Sequence, residues 1–144
     1  MHRYNISNFS KTVVMIVLLL ALVGCGGVAK SVEKEYYMDV NNYITEEAVV
    51  DSIKYDKKIE YIGFRLSEIS DAYQGERFII EGENLDIVLA NGILEKIEPN
   101  SVIEFTSAPA FFGNGYLMPI VQLSVNGETL LSFEEGYANL LELY

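Results

Sequence analysis

Cys25 is the only cysteine of the 144-residue chain, and it follows an apolar run that covers residues 12–24. Its thiolate would be the one sulfur nucleophile available. The residues before the run include Arg3 and Lys11 and no acidic residue. The run is shorter than the ~20 apolar residues that a membrane-spanning helix needs. A basic start, a short apolar middle and a small-residue exit predict a secretory signal instead.

The residues next to the thiol are more specific than the run before them. Leu22-Val23-Gly24-Cys25 resembles the lipobox of bacterial lipoproteins, where an aliphatic residue, a tolerant position and a small residue precede the cysteine. The resemblance implies that Leu22, Val23 and Gly24 direct signal-peptidase cleavage and that the Cys25 sulfur carries a diacylglyceryl group. Two or three acyl chains anchor a protein durably, whereas one holds it only reversibly. An ordinary signal, or a short buried helix with an incidental cysteine, is the alternative.

The charge of the remaining chain restricts its partners. Removing the predicted signal, residues 1–24, leaves 120 residues with eight basic and all 21 acidic side chains, a formal net charge of −13. Nucleic acids bind to basic surfaces, so no nucleic-acid partner is expected. Membrane contact is expected only through the lipid on Cys25. A solvated acidic surface is the favoured explanation of the charge, and a surface for cations or cationic partners is the alternative.

The missing residue types restrict the chemistry. Residues 26–144 contain no histidine, tryptophan or cysteine. Ser–His–Asp and Cys–His catalysis need an imidazole base, and zinc sites almost always use His or Cys ligands. No glycine-rich phosphate-binding motif is present. A non-enzymatic protein without a cofactor or metal is therefore expected, although carboxylate chemistry or a Ser–Lys pair remains open.

The segment APAFFGNGYLMP, residues 108–119, is the candidate binding loop. It places Phe111, Phe112 and Tyr116 around a Gly-Asn-Gly turn. Aromatic side chains at a loop tip can stack on sugars or contact a peptide or an apolar protein surface. The alternative is that the phenylalanines turn inward and close the mouth of a barrel. A protein or saccharide partner is the expectation for this loop.

Acidic residues at 81–86, in the sequence EGENLD, are the candidates for a cation site. Carboxylate oxygens suit Ca²⁺, but the spacing of a calcium-binding loop is absent. In an extended chain Glu81 and Glu83 would share a face and Asp86 would point away. Solubilising charge is the favoured role, and no carboxylate pair stands out for glycan hydrolysis.

The elements that position these residues follow from periodicity and turn chemistry. Residues 25–38 lack a clear period and predict a tether, and residues 39–58 predict a short helix with Thr45 as its N-cap. The apolar face of that helix would consist of Ile44, Ala48, Val49 and Ile53. Residues 60–66, 76–82 and 101–108 predict strands. Near the C-terminus, Ser132 and Glu135 have capping-box spacing, and Tyr137, Leu140, Leu141 and Tyr144 would share one helix face.

Three Asn-Gly dipeptides predict hairpin turns, because type I′ turns need positive φ at both central positions. They occupy residues 91–92, 114–115 and 126–127. The turn at 126–127 would set Val125 opposite Glu128, Leu123 opposite Leu130, and Ile120 opposite Phe133. The turn at 91–92 would pair Leu89 with Leu94.

Together these patterns predict one mainly β (α+β) domain over residues 39–144. The expected architecture is a small antiparallel barrel or sandwich of about six strands with one N-terminal and one C-terminal helix. An oligonucleotide/oligosaccharide-binding-type barrel is one candidate, on strand count. The expected function is a lipid-anchored extracytoplasmic lipoprotein that acts as a non-enzymatic binding module. The alternatives are a carboxylate-based hydrolase of envelope glycans and an accessory subunit of a membrane transport or assembly complex.

Overall fold

The computed structural model describes residues 32–73, 75–109 and 117–144. Its helices are α1 (residues 32–38), a 3-10 turn (Val40–Asn42), α2 (Gly82–Ala90), α3 (Ile93–Lys96) and α4 (Phe133–Glu142). Its strands are β1 (Ile44–Asp56), β2 (Tyr61–Ser67), β3 (Arg77–Glu81), β4 (Val102–Ser107), β5 (Met118–Val125) and β6 (Glu128–Leu131). All six strands belong to one sheet, in the order β3-β2-β1-β4-β5-β6. The predicted mainly β class with about six strands is confirmed.

The sheet closes on itself into a ring. Neighbours in the sheet order pair antiparallel, but Met118 and Pro119 at the start of β5 also pair in parallel with Phe78 and Ile79 of β3. The core fills the ring, with the Phe78 and Phe105 ring centroids 5.0 Å apart. Helix α2 adds buried apolar side chains to the same core. This ring-like sheet agrees with the predicted small barrel or sandwich.

The predicted helix over residues 39–58 is wrong, because most of that segment forms β1. This strand pairs with both β2 and β4. A bulge shifts its register between Val50 and Ser52, so Asp51 is an extra residue. Ala48 and Val50 are buried, and after the bulge Ile53 and Tyr55 pack against the same core. The bulge thus separates Val50 from Ile53 by three positions, and this spacing imitates a helical period.

The predicted hairpin at Asn91-Gly92 is also wrong, because these residues join α2 to α3. Gly92 has φ of 75°, the left-handed conformation in which glycine commonly ends a helix. Val88 before the junction and Ile93 after it are both fully buried. Asn91 donates its side-chain amide to the Leu130 carbonyl at 2.8 Å. The dipeptide therefore supplies positive φ to a helix end rather than to a hairpin.

The hairpin at Asn126-Gly127 is confirmed between β5 and β6. Val125 pairs with Glu128 as predicted. A register shift beyond Ser124 then sets Leu123 opposite Leu131 rather than Leu130. Phe133 does not face Ile120, because β6 ends at Leu131 and Phe133 begins α4. Strands β2, β3 and β4 coincide with the predicted strand segments to within a residue or two. Residues 114–115 lie outside the described part of the chain.

A second apolar layer covers the outside of the sheet. Its buried residues are Tyr37 of α1, Ala108 after β4, Val121 of β5 and Leu140 of α4. The N-terminal helix of the domain is therefore α1, within the segment 25–38 that was expected to be a tether. Tyr37 is 1% exposed, so residues 32–38 pack as part of the folded unit.

Helix α4 begins at the predicted Ser132 N-cap, and Glu135 contacts this cap through the Ser132 hydroxyl. The Ser132 hydroxyl accepts from the Glu135 backbone N–H at 3.4 Å and donates to the Glu135 carboxylate at 2.6 Å. Asn84 of α2 joins the two helices, because its amide donates to the Gly136 carbonyl at 2.9 Å and its oxygen accepts from Asn139 at 3.0 Å. This network fixes α4 relative to α2.

Candidate ligand-binding groove

A groove of about 430 Å³ lies on the outer face of β1, β2 and β3. Successive side chains of a strand point to opposite faces, so the residues between the buried core positions line it. They include Lys54, Tyr61, Gly63, Arg65, Arg77 and Ile79. We call it the cationic groove, because its lining contains three basic residues and no acidic one.

Two arginines face each other across the groove. Arg65 of β2 pairs directly with Arg77 of β3, and they are the only arginines after residue 24. Like charges directly opposite each other on neighbouring strands destabilise a sheet. The Arg65 Nε atom lies 3.9 Å from the Glu76 carboxylate, with both side chains more than half exposed. Within the described residues Arg77 has no ion pair at all.

An aromatic ring lies beside this pair. A Cβ placed on Gly63 would stand 3.1 Å from Cε2 of Tyr61. The Tyr61 ring therefore leans along β2 over the bare backbone of Gly63, towards Arg65. Tyr61 is only partly buried. An accessible ring next to guanidinium groups offers one apolar face and several hydrogen-bond donors.

A second groove, of about 610 Å³, has the opposite charge. Glu60, Glu81, Glu83 and Asp86 line this acidic groove together with apolar side chains such as Leu143. Residues 82–90 are helical rather than extended, so Glu83 and Asp86, three positions apart, lie on the same helix face. Among the described residues no three Asp, Glu, His or Cys side chains are arranged to hold a metal ion.

The described residues of the predicted binding loop are 108–109 and 117–119. The Pro109 carbonyl accepts a hydrogen bond from the Tyr36 hydroxyl at 3.0 Å. Leu117, at the other end of the loop, is 43% exposed and lines the groove beside Arg77. Phe111, Phe112 and Tyr116 lie outside the described residues. The same is true of the predicted lipid-attachment site, Cys25, and of Leu22, Val23 and Gly24 before it.

Four buried or partly buried tyrosines have a structural role. Burial raises the pKa of four tyrosines above the ordinary value: Tyr36, Tyr43, Tyr73 and Tyr144. Their protonated hydroxyls act as donors, for example from Tyr43 to the Tyr37 carbonyl at 2.9 Å. The Tyr144 ring packs 5.1 Å from the ring of Tyr37. Tyr36, Tyr43 and Tyr144 pack in the layer that joins α1 to α4, whereas Tyr73 packs in the core inside the ring.

Sequence reasoning missed the residues of the cationic groove. Tyr61, Arg65 and Arg77 lie in segments predicted to be strands, each beside a residue that is buried. The alternation of apolar and polar residues along the two predicted strands could have indicated them, because it places all three side chains on the outer face of the sheet. The pairing of Arg65 with Arg77 depends on the register between β2 and β3, which the sequence did not provide.

Comparison with known proteins finds no matching family, no matching curated protein and no matching solved structure. None of the helices in the described ranges is long and apolar enough to span a bilayer. The groove itself is therefore the main guide to function.

Proposed function

We propose that this chain is a lipid-anchored extracytoplasmic lipoprotein that binds a saccharide through the cationic groove, without catalysing a reaction. The observation that carries the proposal is the Tyr61 ring over Gly63, next to the Arg65–Arg77 pair. A ring face stacks on the apolar face of a sugar, and neighbouring guanidinium groups donate to its oxygens.

The topology supports this choice of face. The strands close in the order β1-β2-β3-β5-β4, with α2 and α3 inserted between β3 and β4. This arrangement resembles the oligonucleotide/oligosaccharide-binding-type barrel, whose β2–β3 face and whose β1–β2 and β4–β5 loops bind ligands. Here the cationic groove lies on the β2–β3 face, and Leu117 brings the end of the β4–β5 connection to it. The aromatic residues of that connection would add contacts to a bound ligand.

The anchor is supported by the lipobox-like residues 22–25 and by the charge of the mature chain. A formal charge of −13 disfavours direct contact with anionic headgroups, so lipid on Cys25 would supply the attachment to the membrane. The absence of histidine and of further cysteine after residue 25 favours binding over nucleophilic or zinc-dependent catalysis.

Titration calorimetry with neutral chitotetraose tests the saccharide site. We expect the parent to bind, Tyr61→Phe to change the affinity less than threefold, and Tyr61→Ala to weaken it about tenfold, because only alanine removes the stacking ring. Thermal unfolding of both variants checks that the fold is intact. Equal affinity of the alanine variant, or a parent that binds neither this probe nor the acidic glycans used below, would contradict the proposal.

Intact mass spectrometry of the protein extracted from bacterial membranes tests the anchor. The parent is expected to begin at Cys25 and to carry the added mass of two or three acyl chains. The Cys25→Ser variant should keep an uncleaved signal and no lipid. A parent with a free thiol would refute the anchor and leave the saccharide site to be judged separately.

The acidic groove favours one second candidate, a carboxylate-based hydrolase of envelope glycans. Four carboxylate side chains line it, and glycoside hydrolysis needs two of them at a suitable separation. Release of reducing ends from cell-wall glycans, lost in Glu81→Gln or Glu83→Gln, would establish this activity. A flat assay across pH would leave binding as the function.

A further inference from the structure

We infer that the ligand of the cationic groove is an acidic saccharide whose carboxylate or phosphate group binds between Arg65 and Arg77. The inference rests on the proposed saccharide site and specifies the chemical class of its ligand. It concerns the end of the groove next to the Tyr61 ring, where β2 and β3 pair.

In the free protein the two arginines lack a closely placed anionic partner. Their direct pairing brings two positive charges together on an exposed face at a cost in stability. Glu76 approaches Arg65 only at 3.9 Å, too far for a good hydrogen bond. An anion placed between the two guanidinium groups would relieve the repulsion and accept two forked pairs of hydrogen bonds.

The register sets the shape of the ligand. Ser52 of β1 pairs with Arg65, and Arg77 runs beside Leu117 because Phe78 pairs with Met118. These four residues form one row across the sheet. The next outward row contains Lys54 and Gly63, which pair across β1 and β2, with the Tyr61 ring above Gly63. Successive rows of outward-facing residues are about 7 Å apart. The acidic group is therefore expected on the sugar that stacks on Tyr61 or on the sugar next to it.

The charge distribution makes the groove selective. Three of the eight basic residues after residue 24 line the groove, and none of the 21 acidic residues does, although the Glu76 carboxylate lies 3.9 Å from Arg65 at its edge. The acidic groove carries four carboxylate side chains and no base. An anionic glycan would be repelled by the acidic groove and attracted to the cationic groove, so charge would guide its position as well as its affinity.

Calorimetry with three glycan probes of equal length tests this inference. The probes are neutral chitotetraose, a peptide-free cell-wall glycan strand that bears lactyl carboxylates, and an oligosaccharide with phosphate monoesters. We expect at least one acidic probe to bind the parent about tenfold more tightly than the neutral probe. The preferred probe identifies the anion as carboxylate or phosphate.

Arginine variants provide the decisive comparison. Arg65→Gln and Arg77→Gln should each weaken binding of the acidic probe about tenfold and binding of chitotetraose less, so that the preference for the acidic probe disappears. Lys58→Gln, which removes an exposed charge outside the groove, should change neither affinity. Equal affinity of the parent for all probes, or a preference that survives both arginine variants, would overturn the inference.

The two proposals fail in different ways. If chitotetraose binds through Tyr61 but the acidic probes bind no better, only the acidic-ligand inference is wrong. If no probe binds the parent at all, the saccharide site and the inference built on it are both wrong.

Discussion

Gly136 of α4 lies directly against the backbone of Val121 in β5, so closely that an added Cβ would overlap the Val121 carbonyl oxygen. Both residues are buried, and the Asn84 side-chain amide donates to the Gly136 carbonyl. The helix can approach the sheet only because this position has no side chain.

Gly136→Ala is therefore expected to lower the free energy of unfolding by ~3 kcal/mol or more, since a backbone atom cannot move aside for the methyl group. Urea denaturation measures this loss. Gly127→Ala is the control: Gly127 has φ of 79° with nothing within 4 Å of the added Cβ. That change should cost only the ~1–2 kcal/mol of a strained backbone. Equal losses at the two glycines would disprove the steric explanation.

The arginine pair should make the free protein less stable than it could be. Arg77→Gln removes the repulsion with Arg65 and is expected to raise the free energy of unfolding by ~0.2–1 kcal/mol, with a smaller gain at high salt. Lys96→Gln is the matched control, because Lys96 lies 2.6 Å from the Glu128 carboxylate. Its loss should instead lower stability by ~0.2–1 kcal/mol. A destabilised Arg77→Gln would show that the pair is satisfied within the fold.

Helix α1 should contribute strongly to stability. Tyr37→Ala is expected to cost ~3–5 kcal/mol, because it empties a fully buried aromatic site. Met38→Ala changes the next residue of the same helix, whose side chain is 53% exposed, and should cost less than ~0.5 kcal/mol. Chemical denaturation compares them. If Tyr37→Ala were as stable as Met38→Ala, α1 would not be part of the cooperative unit.

Buried tyrosines predict a loss of stability in alkali. Burial, with a smaller contribution from the charge of Glu46, raises the pKa of Tyr73 above the ordinary value near 10. Above about pH 10 the unfolded chain loses this proton while the folded chain keeps it, so stability falls as pH rises towards the folded pKa. Below about pH 9 the contribution is fully present and constant.

Tyr73→Phe tests the alkaline effect. The variant loses the hydroxyl that donates to the Ile44 carbonyl at 3.2 Å, so it should be ~1 kcal/mol less stable at neutral pH. Its stability should then fall less steeply than that of the parent between about pH 9 and about pH 11. Parallel curves in urea denaturation would show that Tyr73 does not take part in the alkaline transition.

The sequence was informative where a run of β-branched and aromatic residues met clear turn chemistry. Strands β2, β3 and β4 and the hairpin at Asn126-Gly127 have this form. Strand β1 did not, because the bulge at Asp51 broke its alternation and left a spacing of three between Val50 and Ile53. The hairpin predicted at Asn91-Gly92 was wrong for a different reason, because residues with positive φ occur at helix ends as well as in type I′ turns.

The candidate groove was beyond sequence reasoning, because its residues come together only through pairing. Arg65 and Arg77 are separated by a long connection, and no turn motif between them fixes the register of β2 and β3. The parallel contact between β3 and β5, which brings Leu117 beside Arg77, is a consequence of ring closure. Composition alone suggested an acidic surface and gave no sign that the two arginines after residue 24 would face each other.

The short segment between Cys25 and α1 limits how far the folded domain could lie from the proposed lipid anchor. Seven residue steps separate Cys25 from Val32, the first residue of α1, and even a fully extended chain of that length spans only ~25 Å. With acyl chains on Cys25, as proposed, the domain would stay within this short distance of the membrane surface. The domain could not reach glycans in outer regions of the envelope. Glycans close to the membrane surface would be exposed to a high effective concentration of the domain.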